Sequence, residues 1–186
     1  MTMNSTALAK RESRANTRLS LADTIRDEIP ALKELAALYH ESGSFTDVKS
    51  MAQAFVKIKA GYDLGFLPHV AMAGIHFIQG KAVIGAGLLA SLIKDSGKYD
   101  YTVTKHSKDE CELQFFQLLR DGQWAKMGVP VHYTIEDAKT AGLTKNPVWT
   151  NHPKSMLFAW CIRQGFRQYT ADLLRGTPIA DNREAE

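Results

Sequence analysis

Cysteine is almost absent from this chain: only Cys111 and Cys161 occur in 186 residues. Far apart in sequence and set in apolar surroundings, they read as two buried free thiols. That reading fits a reducing compartment better than a disulfide does. Metal-ligand spacings are also missing. No CxxC pair exists, and His40, His69, His76, His106, His132 and His152 make neither HxxxH nor HExxH. His69 and His76 sit seven apart, but an expected Pro-flanked turn and strand lie between them, so no metal is expected. Gly80-Lys81 and Gly85-Ala86-Gly87 hold fragments of a phosphate loop, but the full Gly-x4-Gly-Lys-Ser/Thr pattern is absent, which leaves nucleotide hydrolysis unsupported. No apolar run approaches the length that spans a bilayer. The N-terminus opens polar (Thr2, Asn4, Ser5, Thr6) and turns basic without a hydrophobic stretch, so no secretory signal is expected and the location is read as cytoplasmic.

Catalytic groupings are equally scarce. Asp95, Asp100, Asp109-Glu110 and Glu136-Asp137 stand at expected turns, strand starts or a helix N-terminus, where acids have local reasons to be. Cys161 with His152 is the one nucleophile–base couple to consider, but Cys161 falls on an apolar helix face that favours a neutral buried thiol. The empty inventory moves the reading from enzyme to binding protein.

What is present is a charge of +3 placed unevenly. Lys10, Arg11, Arg14 and Arg18 against Glu12 supply all of the excess, so the rest of the chain balances to zero. A second local concentration lies in 145–175, where Lys145, Lys154, Arg163, Arg167 and Arg175 face Asp172. A neutral body with a basic strip and a basic arm is the pattern of a polyanion binder.

Periodicity orders the elements. Residues 1–20 lack periodic apolar positions and read as a flexible basic arm. A first helix is expected over 21–40, with Pro30 kinking or restarting it and Ser42-Gly43-Ser44 ending it. Thr46 reads as N-cap of a second helix reaching about Leu64. Val48, Met51, Ala52, Phe55, Val56, Ile58 and Tyr62 would form its core face, and Lys49, Gln53 and Lys57 its outer face. A short turn over 69–73 precedes a hairpin of 75–78 and 82–84, then a helix over 87–94. Three strands follow at 99–104, 111–119 and 124–133, the last two joined by Asp121-Gly122. Thr134 caps a helix over 135–141 that Gly142 ends. A loop with Lys145, Pro147 and Trp149 leads to Pro153, which suits the start of the last helix. The whole of 149–176 reads as one long helix, and 177–186 as a tail. These elements make an α+β fold: N-terminal helices, a β-hairpin, a helix, a three-stranded antiparallel sheet and a long C-terminal helix. A single domain over 21–176 is expected.

The long helix has two unlike faces. Leu157, Phe158, Cys161, Ile162, Phe166, Tyr169 and Leu173 gather on one side, and Met156, Trp160, Arg163 and Arg167 on the other. Either it is a surface helix whose Trp160 packs under a neighbouring element, or its arginines meet phosphates while the indole stacks on bases. Basic residues beside aromatics recur elsewhere: Lys98 by Tyr99 and Tyr101, Lys126 by Trp124, Lys145 by Trp149, and Lys81 at the hairpin tip. The candidate nucleic-acid-binding set is Lys81, Lys98, Lys126, Lys145, Trp149, Lys154, Trp160, Arg163, Arg167 and Arg175.

Two blocks carry a family likeness. Lys59-Ala60-Gly61-Tyr62-Asp63-Leu64-Gly65-Phe66-Leu67-Pro68, continuing through Ala71-Met72-Ala73-Gly74-Ile75 to Ile78-Gln79-Gly80-Lys81, resembles the N-terminal core of phage recombinases of the RecT / Red-beta type. Ala138-x2-Ala141-Gly142-Leu143, then Trp149-x3-Pro153-x2-Met156-x6-Arg163-x3-Arg167, is similar to the loop and final helix of these single-strand annealing proteins. The likeness covers 46–176. It implies ATP-independent binding of single-stranded DNA and annealing of complementary strands in homologous recombination, with a duplex intermediate. It implies a homo-oligomeric ring or helical filament in a bacterial host cell, with no cofactor beyond a non-specific effect of Mg2+. Implied partners are an exonuclease and the host single-strand-binding protein. By position, Trp149, Lys154, Arg163 and Arg167 would line the DNA groove. Trp160 departs from the family pattern, which is basic there, and would serve the DNA or a protomer interface. The family's C-terminal recruiting module is expected to be absent or minimal. Competing readings are a single-strand-binding accessory protein that does not anneal, a small Cys/His enzyme, and a scaffold protein.

Overall fold

The computed structural model describes residues 28–78 and 80–174. The arm over 1–20, the first residues of the expected first helix, the tail over 177–186 and Arg175 lie outside them.

The first helix, α1, covers 28–41 of the described chain with Pro30 in its first described turn. It stops where Ser42-Gly43 predicts: Gly43 takes φ +64°, and its N–H donates to the His40 carbonyl at 3.2 Å. α2 is Met51–Asp63 and starts later than expected, because Ser50 rather than Thr46 caps it. The Ser50 hydroxyl accepts from the Gln53 N–H at 3.2 Å, while Thr46 sits in a turn closed by Val48 N–H to the Phe45 carbonyl at 3.0 Å.

The period of α2 is helical, but its phase differs from the expected one. The buried positions are Ala54, Lys57, Ile58 and Gly61, while Met51, Val56 and Tyr62 are exposed by 47%, 44% and 42%. Small residues decide the phase. A Cβ on Gly61 would stand 2.2 Å from the Ala71 Cβ, so α2 meets α3 (Pro68–Gly74) backbone to backbone along that stripe. Lys57, expected outside, is fully buried, and its ammonium donates to both Asp47 carboxylate oxygens at 2.9 and 3.1 Å. Leu32, Ala36, Val48, Ala54, Ile58 and Met72 form the apolar cluster around this pair.

β1 (Ile75–Ile78) and β2 (Lys81–Ile84) make the expected hairpin, with Ile78 opposite Lys81 and Gly80 at φ +80°. α4 (Ala86–Asp95) follows at once. Its buried side is Leu88, Leu89 and Ile93, at helical spacing.

β3 (Tyr99–His106), β4 (Glu110–Leu118) and β5 (Trp124–Thr134) form an antiparallel sheet in that order. Cys111, Leu113 and Phe115 of β4 alternate toward the core and are fully buried. The register slips between Leu113 and Phe115, opposite a bulge at Gly128 (φ +50°), and Pro130 is tolerated because β5 is an edge strand. Thr134 and Asp137 make a reciprocal capping box at the start of α5 (Ile135–Thr140).

The expected single helix over 149–176 is three pieces: α6 (Pro147–Asn151), α7 (Pro153–Tyr169) and a 3-10 turn, Ala171–Leu174. Pro153 causes the first break. It lacks an N–H and disfavours helical geometry at the residue before it, and His152 sits at φ −133°, ψ 51°. Within α7, Leu157, Cys161, Ile162, Gly165 and Phe166 are buried as the apolar side predicts. α7 lies on β4 so closely that a Cβ on Gly165 would be 2.1 Å from the Phe115 ring. The architecture is α+β, as expected. Among the described residues no helix is long and apolar enough to cross a membrane.

Candidate nucleic-acid interface

The candidate residues do not share one face. Trp149 is only 2% exposed and meets Tyr133 edge-on, so its ring belongs to the core and not to a DNA groove. Pro147 and Asn146 set this up. The Asn146 side chain accepts from the Val148 N–H at 3.0 Å and starts α6, which turns Trp149 inward. Trp160 lies flat on Tyr133, with centroids 3.6 Å apart, so that face of the indole is already covered.

Lys98 is exposed, but its ammonium donates to the Asp172 carboxylate at 2.7 Å and sits 4.6 Å over the Tyr99 ring. The hydrogen bonds to Asp172 and Tyr99 push its pKa up to about 12. Lys126 stands opposite Phe116 in the sheet, one step out of phase with Phe115, which faces α7. Strand alternation therefore turns Lys126 and Trp124 to the sheet face away from α7. Lys145 is exposed on a 3-10 turn, and Lys154 is exposed in the first turn of α7, where its carbonyl lies 3.2 Å from His106 Nε2. Lys81 is exposed at the start of β2. Arg163 and Arg167 are half-buried on α7.

Two open clefts of opposite character lie on the surface. One, of about 550 Å³, is lined by Asp63, Asp95 and Asp172 together with Tyr62, Leu92 and Leu173. Those carboxylates disfavour a polyanion. The other, of about 590 Å³, lies where α3, the base of the hairpin, the start of α4 and α7 meet. His69, His76 and Arg163 line it, and its remaining walls are mainly small or apolar: Ala73, Gly74, Gly85, Ala86, Gly87 and Ala159. Among the described residues no carboxylate lines it. Asp47 stands behind it, with Oδ2 4.0 Å from His76 Nδ1. Burial pushes the His76 imidazole below its usual value, helped by the nearby charges of Lys57 and Arg163 and opposed by Asp47. Burial alone would raise the Asp47 carboxyl, but the Lys57 ammonium and the Phe77 N–H hold it below its ordinary value.

Of the nine candidates among the described residues, Arg163 is the one that lines the histidine-bearing cleft. The sequence reading missed His69 and His76 as partners of Arg163, having weighed them only as metal ligands. Gly85-Ala86-Gly87, noticed as a phosphate-loop fragment, forms part of the same cleft. Only the fold joins these signals.

The Cys161–His152 couple has a different fate. Cys161 is fully buried, its Sγ donates to the Cys111 carbonyl at 3.4 Å, and contact with Cys111 together with burial pushes its thiol up. His152 is exposed at the N-terminus of α7. The two thiols, far apart in sequence, are neighbours under the sheet. Among the described residues no three His, Cys, Asp or Glu side chains converge as metal ligands would. No family model matches the chain, and no curated protein or solved structure matches it.

Proposed function

We propose that this chain binds single-stranded DNA and anneals complementary strands without ATP, as the resemblance to RecT / Red-beta-type recombinases implies. The observation that carries the reading is the cleft of about 590 Å³ lined by Arg163, His69 and His76 and, among the described residues, by no carboxylate. A strand's phosphates find there a guanidinium donor on a rigid helix and small-residue walls that admit the backbone closely. The order of hairpin, helix, three-stranded sheet and long helix supports the same reading.

In this mechanism, basic side chains hold the phosphates of one strand and leave base edges free to sample a second. Pairing is locked by side-by-side protomers in a ring or filament. No covalent step is required, and Mg2+ acts only by screening. An exonuclease that exposes the strand and a host single-strand-binding protein are the proposed partners, in the cytoplasm of a bacterial host.

A fluorescence-quench annealing assay on complementary oligonucleotides tests the reading. Acceleration without ATP, with log affinity for single strands falling by about 0.7 per phosphate neutralised as log salt rises, is expected. Binding and protection without acceleration would make the protein an accessory binder. Absence of any binding at low salt would leave a scaffold role.

A further inference from the structure

The cleft has more built into it than one arginine. Its three cation-forming side chains come from three elements: His69 from α3, His76 from β1 and Arg163 from α7. Convergence from separate elements means that the tertiary fold, not a local run of charge, assembles the set. The walls are shaped for close approach as well. Gly87 has open space where a Cβ would be, and a Cβ on Gly85 would fall 2.9 Å from the Gly74 carbonyl and 3.2 Å from His76 Nε2. A side chain at Gly85 would crowd the imidazole. The cleft is open to solvent, and its volume of about 590 Å³ leaves room for a phosphate group.

We propose that this cleft seats one phosphate group of the bound strand, with Arg163, His76 and His69 as its ligands. This assignment rests on the single-strand reading above and adds to it two histidines and a proton. His76 Nε2 lies on the Gly85 side, and Nδ1 lies on the Asp47 side. The charges facing the ring are Asp47 from the α1–α2 connection, Lys57 from α2 and Arg163 from α7, and His69 of α3 lines the same cleft. From β2 its register partner is the uncharged Val83. In the free protein, burial and the two cations hold the imidazole below its usual value, against the pull of Asp47. A phosphate beside it reverses that balance, because a negative charge favours the imidazolium and the imidazolium donates a charge-assisted hydrogen bond. Binding therefore takes up a proton, and affinity rises as pH falls toward the range where free histidine titrates.

The experiment measures anisotropy of a labelled thirty-base oligothymidylate at constant ionic strength from pH 8.5 to 5.5. One linked proton steepens affinity by at most about tenfold per pH unit, and several-fold per unit is expected. His76→Gln flattens that dependence, Arg163→Gln weakens binding at every pH, and His132→Gln, which sits on Glu110 in the sheet, leaves the dependence intact. A His76→Gln profile as steep as the wild type overturns the assignment while the single-strand reading stands.

Histidine ring resonances give the second readout. The His76 resonance should titrate at higher pH when the oligonucleotide is bound, and no movement overturns the seat. If no oligonucleotide binds at any salt, the single-strand reading fails. Addition of inorganic phosphate at fixed ionic strength then decides the seat: a shifted His76 titration supports it, and an unshifted one overturns it.

Discussion

The indole of Trp160 lies against the ring of Tyr133 with centroids 3.6 Å apart and planes 5° from parallel. The contact clamps the outer stripe of α7 to β5. It gives Trp160 the packing partner that the surface-helix alternative expected, because Tyr133 occupies that face of the ring.

Trp160→Leu should therefore cost stability before it costs DNA affinity. An aromatic pair of this kind is worth about 1 kcal/mol beyond its buried area. Chemical denaturation should report a loss of that order, while the salt slope of oligonucleotide binding stays at the wild-type value. A collapsed slope with unchanged stability would return Trp160 to the DNA.

Arg163→Ala combined with Arg167→Ala removes two cations from α7. If both neutralise phosphates, the slope of log affinity against log salt should fall by roughly 1.4, at about 0.7 per contact. Binding isotherms at a series of salt concentrations measure it. An unaltered slope places the strand elsewhere.

Gly165→Ala should destabilise the fold, because the added Cβ would lie 2.1 Å from Phe115 in the plane where α7 meets β4. Overpacking of this kind costs about 1–3 kcal/mol. Phe115→Leu on the same background should recover part of the loss by making room, and thermal melts of the single and double variants compare them.

The Asp47–Lys57 pair predicts an asymmetry. Lys57 is fully buried, whereas the Asp47 side chain keeps 32% of its exposure. Asp47→Ala strands a buried ammonium and should cost about 3–5 kcal/mol. Lys57→Met leaves a carboxylate that water still reaches, and should cost clearly less. Equal losses in denaturant unfolding would sink this explanation.

Acid should unfold the protein in two stages. Asp137 is held below its ordinary value by the Thr134 hydroxyl and N–H, and Glu110 by His132 and Lys105. Both folded pKa values lie below the unfolded ones, so these contributions are complete above about pH 5 and vanish as pH falls through the folded values. His76 is also depressed, so the unfolded chain takes up its proton first, and a shallower loss begins below about pH 6.5. Melting temperatures from pH 7 to 3 should show both slopes. His76→Gln removes the first, and Asp137→Asn with Glu110→Gln weakens the second.

Much of this architecture is legible in the chain itself, wherever local physics decides. The three strands, the hairpin around Gly80, the Thr134 cap and the buried stripe of α7 follow from alternation, turn chemistry and helical period. These depend on neighbours within a few residues. Arg163 also stood out from its helix face alone.

What sequence pattern could not set is phase and company. Lys57 goes inside because Gly61 lets α2 close on Ala71, and a charge tolerates burial only where the fold brings Asp47 to it. Trp149 goes inside because Pro153 breaks the helix that would have carried it, leaving α6 to turn it toward Tyr133. His69, His76, Gly85 and Arg163 lie on separate elements, and only packing makes them one cleft. Composition and period determined the elements. Tertiary contact decided which residues meet, because burial, ion pairing and shape depend on partners remote in sequence.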